Sequence, residues 1–132
     1  MEFDVEKTVA YWLDGAEYDI DTAESLFKTE KYPYALFFGH LAIEKILKAL
    51  VVKETKKHAG YTHSLPSLAN KLTKIPEKIK EKLADFMEFY FEARYPEEQK
   101  KFHDKCTKDF TQQKLNEVKE VLKWLNQKLS TT

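Results

Sequence analysis

The sequence predicts an all-α fold, an up-and-down bundle of four long helices plus one short one. Three observations carry this. Only 3 Gly and 4 Pro occur in 132 residues, so few points break a helix. No window holds a period-two alternation of apolar and polar residues, the mark of a half-buried strand. Leu, Lys, Glu and Ala dominate, and apolar residues recur three and four apart. At 132 residues the expectation is one domain, residues 1–132, large enough for a core without disulfides or metals.

The first helix is expected from Val5 to Thr29. Val9, Trp12, Ala16, Ala23 and Leu26 share a face, with Leu13, Ile20 and Phe27 beside it. Asp19 falls inside that stripe. It is either a border residue reaching solvent or a carboxylate aimed into a polar seam. Glu30, Lys31 and Tyr32 close this helix, and Pro33 suits the first turn of the next.

The second helix, Tyr32 to Lys57, is the organising element. From Tyr34 to Val52 nearly every position is apolar, the exceptions being Gly39, His40, Glu44, Lys45 and Lys48. A helix apolar over most of its circumference lies inside a bundle. His40, Glu44 and Lys48 follow i, i+4, i+8 spacing and form one narrow polar stripe. The stripe is either a candidate site or, for Glu44 and Lys48, a simple helix-surface pair. Ala35, Gly39, Ala42, Ile46 and Ala49 make a face that another backbone can approach closely, in the same chain or in a second copy.

Glu54 to Thr62 reads as a polar connection, and Ser64 as the N-cap of a short helix with Leu65, Leu68 and Leu72 on one face. His63, just before the cap, is expected to order that turn through backbone hydrogen bonds. Pro76 opens a further helix on which Ile79, Leu83, Phe86, Tyr90 and Ala93 form a core stripe, with Met87 and Phe91 alongside. Arg94 is expected in its last turn, where a cation suits the helix dipole, and Pro96 ends it. Glu97 to Phe110 is charged and reads as irregular, or as a short helical turn. The last helix is expected from an N-cap at Thr111 through Leu115, Val118, Leu122, Leu125 and Leu129, with Ser130 to Thr132 fraying.

Lys plus Arg and Asp plus Glu each number 22, which argues against a strongly basic nucleic-acid surface while leaving room for a local patch. The single cysteine, Cys106, rules out an internal disulfide and fits a reducing compartment. The polar stripe interrupts the best apolar run, so no membrane span is expected. The N-terminal MEFDVEKT is too acidic and too short of apolar length for a signal peptide, and a cytoplasmic location is expected. The four His are scattered without ligand spacing, and no metal or cofactor is expected.

Five motifs stand in order: WLDGAEYDIDTA, YPYALFFGHLAIEKILKAL, THSLPSL, EARYP and VLKWL. Together they resemble the HEPN (higher eukaryotes and prokaryotes nucleotide-binding) domain over about residues 5 to 128, AIEKILKAL with its upstream F-x-x-H and downstream THSL being the specific part. The resemblance implies a four- or five-helix bundle, usually a homodimer. It also implies one of three roles. Many small members resemble partners of minimal nucleotidyltransferases in toxin–antitoxin-like pairs. Some are metal-independent ribonucleases with an R-x(4-6)-H motif, and others that lack the motif bind nucleotides or act as non-catalytic scaffolds. Here Arg94 and His103 have eight residues between them, with Pro96 in the interval, a departure from the ribonuclease spacing. The leading expectation is therefore a dimeric binding module that associates with a minimal nucleotidyltransferase and contacts a nucleotide or RNA. It would use Arg94 and Tyr95 with the stripe residues His40, Glu44, Lys45 and Lys48. The alternatives are an RNA endonuclease with Arg94 and His103 as catalytic residues, and a scaffold without a ligand.

Overall fold

The computed structural model describes residues 3–131. Among them are six α-helices: α1 (Val5–Lys28), α2 (Tyr32–Thr55), α3 (Leu65–Ala69), α4 (Glu77–Phe86), α5 (Pro96–Lys105) and α6 (Lys108–Thr131). No strand occurs among the described residues. The all-α bundle is thus as expected, but its long members are three, α1, α2 and α6, each of 24 residues. No helix among the described residues is long and apolar enough to cross a membrane.

The central helix is α2, which packs along both α1 and α6. Its burial reaches all round the cylinder, from Leu36 and Ile43 to Leu47, Leu50 and Val52, as an apolar circumference requires. Gly39 sits where α6 crosses. A Cβ built there would lie 3.4 Å from Val118 Cγ1 and 3.9 Å from Leu115 Cδ1, so at Gly39 the small-residue face is used within the chain. Gly39→Leu is expected to lose about 1–3 kcal/mol in urea unfolding by overpacking this crossing. Gly39→Ala, which adds only that Cβ and gains helix propensity, should stay within about 1 kcal/mol of the parent.

The caps follow local chemistry. Asp4 accepts from the Lys7 N–H at 3.0 Å and Ser64 from the Ser67 N–H at 3.2 Å, the latter as its position before LPSL predicts. Thr107, not Thr111, caps α6: its hydroxyl accepts from the Phe110 N–H at 3.2 Å, while Thr111 is buried within the helix. Ser130 and Thr131, where fraying was expected, are helical; Thr132 lies outside the described residues.

Two expectations around the aromatic segment are corrected. The helix opened by Pro76 does not continue to Arg94. It stops at Phe86 and gives way to two 3-10 turns, Met87–Phe89 and Phe91–Ala93, hinged at Tyr90. Phe86, Phe89 and Phe91 are all buried. Positions five apart on an α-helix diverge by about 140°, so a straight helix would turn Phe91 well away from the face that buries Phe86. In the tightened chain both reach the core. Ala93 is accordingly exposed, and Arg94 has extended backbone (φ −101°, ψ 165°) instead of a place in a last helical turn. The second correction concerns Glu97 to Phe110. Pro96 begins the ten-residue α5, whose Phe102 stacks on Phe91 at 5.2 Å and 27°.

Candidate functional site

The stripe on α2 is buried along its whole length: His40, Glu44 and Lys48 are 0, 4 and 6% exposed. Lys48, which on sequence could have faced solvent, does not. Buried polar groups need partners, and these come from three separate segments. Glu44 Oε2 accepts from Lys48 Nζ at 3.0 Å, and Oε1 accepts from His63 Nδ1 at 3.0 Å. Lys48 Nζ also lies 4.9 Å from the centre of the Trp12 ring on α1. Burial pushes the Glu44 carboxyl up. Hydrogen bonds from His40, Lys48 and His63 outweigh it and hold the carboxyl at about 2, below its ordinary 4.5.

His40 is the tie between segments. Its Nδ1 lies 3.3 Å from the Phe86 carbonyl oxygen and its Nε2 3.1 Å from that of His63, with Glu44 Oε1 at 3.5 Å. Whichever ring nitrogen carries the proton, a carbonyl accepts it. The ring is thereby fixed to the end of α4 and to the loop before α3, and neither nitrogen is open to a ligand.

Lys45 lies off the stripe. Its ammonium sits 2.7 Å from Oδ2 of the buried Asp19, an ion pair without hydrogen-bond alignment. Asp19 is therefore the carboxylate of a polar seam. Lys45 reaches it across Gly15, where a Cβ would stand 2.9 Å from Lys45 Cδ. A cavity of about 260 Å³ opens beside it, lined by Tyr11, Trp12, Asp14, Gly15 and Lys45.

Arg94 faces a different region. Nη2 donates to the Met87 carbonyl at 3.5 Å and Nη1 lies 3.7 Å from Glu98 Oε2, both long contacts. Two cavities, of about 290 and 480 Å³, share Glu88, Arg94 and Lys105 in their walls. Lys101 lines the first and Lys114 the second. Lys105 is held by both oxygens of Glu88 at 2.9 and 3.0 Å, and Lys101 has no ion-pair partner among the described residues. Tyr95, next in the chain, is 80% exposed. His103 turns elsewhere, edge-on to Phe91 at 5.0 Å and to Tyr34 at 6.3 Å. The structure thus gathers His40, Glu44 and Lys48, puts Arg94 and Tyr95 at the foot of α5, and turns the His103 ring to Phe91 and Tyr34 while the Arg94 guanidinium turns to Met87 and Glu98. Among the described residues no three His, Cys, Asp or Glu side chains could hold a metal ion.

Sequence reasoning missed His63 and Tyr90 as members of the polar site. The available signal was Glu44 itself, since a carboxylate within an apolar helix requires donors from elsewhere.

The HEPN domain family's sequence profile matches residues 9–128. The chain belongs to the HEPN domain family. Two solved structures share the HEPN fold with it. The crystal structure of TT1696 from Thermus thermophilus has a TM-score of 0.76 and 21% identity, over 91% of this chain and 97% of that one. ST0689, an archaeal HEPN homologue, has a TM-score of 0.73 and 22% identity, over 92% of this chain and 97% of that one. No curated protein matches the chain.

Proposed function

We propose that this HEPN domain is a cytoplasmic, dimeric binding module that takes the phosphate of a nucleotide or of single-stranded RNA at Arg94. We also propose that it works beside a minimal nucleotidyltransferase as half of a toxin–antitoxin-like pair. One observation carries the ligand reading. The Arg94 guanidinium is only loosely engaged, at 3.5 and 3.7 Å, in a groove of mixed charge where Glu88, Glu98 and Asp85 stand beside Lys101, Lys105 and Lys114. Lys105 is taken up by Glu88, and Lys101 has no ion-pair partner among the described residues. A planar guanidinium with free donors matches two phosphate oxygens at once. Tyr95 beside it offers an exposed ring. Tyr11 and Tyr18, 69 and 74% exposed and on one face of α1, support a protein contact on that side.

Calorimetric titration with AMP tests the ligand reading. Saturable heat is expected, with Arg94→Ala weakening the affinity about tenfold or more, the worth of a lost charge-assisted bond. Unchanged affinity in that variant, or no heat at millimolar AMP, removes Arg94 from the site. A ribonuclease built on Arg94 and His103 is the weaker reading. Arg94 turns to Met87 and Glu98 while His103 packs against Phe91 and Tyr34, so the two side chains are not held together for concerted chemistry within one chain.

A further inference from the structure

The loop before α3 and the hinge of the 3-10 turns build a ring pile that the Arg94 groove does not use. Tyr90 stacks on Phe37 at 5.2 Å and 28°, and on His63 at 4.7 Å and 21°. Phe37 and Glu44 lie seven residues apart on α2, about 10.5 Å along its axis. The two ring spacings cover nearly that distance, so the pile runs parallel to α2 and brings His63 level with Glu44. His63 is its outer member. Its side chain is 58% exposed, and no other ring packs on it among the described residues.

Two restraints make this ring a plate and not a loose surface histidine. Tyr90 covers one face. The edge is held by Nδ1–H donating to Glu44 Oε1 at 3.0 Å, and Glu44 is itself fixed by Lys48. A ring held at both face and edge loses little rotational freedom when something stacks on its remaining face. Unpaired nucleobases are the ligands that use such faces, on His as on Phe, Tyr or Trp. The plate is also coupled to the phosphate groove. The Met87 carbonyl accepts from the Tyr90 N–H at 3.2 Å and from Arg94 Nη2 at 3.5 Å, so the middle ring and the cation hang from one peptide group.

We propose that His63 is the outer plate of a nucleobase-stacking subsite, with Tyr90 and Phe37 stacked behind it and Glu44 orienting its edge. The subsite receives an unpaired base of the same nucleotide or RNA whose phosphate is held at Arg94. It rests on the phosphate-binding reading. It takes any base, because every base offers a π-face.

The test uses the full chain, a fluorescently labelled eight-nucleotide oligouridylate and an abasic phosphodiester of equal length. His63→Ala is expected to weaken the oligouridylate about tenfold and leave the abasic strand unchanged. His63→Phe, which keeps a plate but not the bond to Glu44, should recover binding to within about threefold of the parent. Adenosine, which has no phosphate, should move the His63 ring-proton NMR signals of the unmodified protein upfield and leave those of His58 and His103 in place. The proposal is overturned if His63→Ala binds both strands as the parent does, if it loses both equally, or if adenosine leaves the His63 signals unmoved. Dependence on Arg94 without dependence on His63 sinks the plate alone. A persistent adenosine shift with no effect of Arg94→Ala sinks the phosphate reading alone.

Discussion

Glu44→Ala is expected to destabilise the domain by about 3–5 kcal/mol in urea unfolding, the largest loss for a single polar residue here. The carboxylate is 4% exposed and accepts from Lys48 and His63 at 3.0 Å each. Removing it leaves the Lys48 ammonium buried without its counter-charge, and that stranded charge dominates the cost. The double variant Glu44→Met with Lys48→Met should therefore recover most of the loss, since it removes both charges and keeps apolar volume. A double variant as unstable as Glu44→Ala would show that packing, not charge, holds this position.

Acid should reproduce part of that loss. The Glu44 carboxyl titrates at about 2 in the folded chain and at its ordinary 4.5 when unfolded. Between those values the unfolded chain binds the proton and the folded one does not, so the unfolded state gains as pH falls. The contribution of Glu44 is complete above about 4.5 and is lost progressively towards about 2. Urea midpoints measured across that window should fall more steeply for the parent than for the Met–Met double variant. Parallel slopes would rule out Glu44 as the titrating group.

His40→Ala is the second large effect, about 3–4 kcal/mol. It combines a cavity at a fully buried site with the loss of the one N–H that the Phe86 or the His63 carbonyl accepts from His40. The damage should also be local. Hydrogen exchange is expected to rise first in residues 62–65 and 86–94, the two segments this ring fastens to α2. Uniform acceleration through α1, α2 and α6 instead would mean that His40 supports the whole core and is no tie.

The same residues show how much of the molecule is legible one-dimensionally. That α2 is central, that His40, Glu44 and Lys48 share a stripe and that Ser64 starts a helix all follow from spacing, because helical neighbours and caps are set within four residues. The 3-10 corner was not legible. The run from Phe86 to Ala93 has good helical spacing, yet it breaks into 3-10 turns where Phe86, Phe89 and Phe91 all find the core. Nor was α5, whose charged sequence is helical because Phe102 meets Phe91 across the corner.

The sequence by itself determined the all-α class, the alignment of His40, Glu44 and Lys48 in one stripe and the likeness to HEPN domains, all properties of local period and motif. Tertiary structure alone decided what the stripe does. A buried carboxylate takes its meaning from its donors, and two of the groups around Glu44 and His40, the His63 ring and the Phe86 carbonyl, lie 19 and 46 residues away in the chain. Spacing cannot specify contacts of that range. They form because desolvating Glu44 costs several kcal/mol unless something distant arrives to meet it.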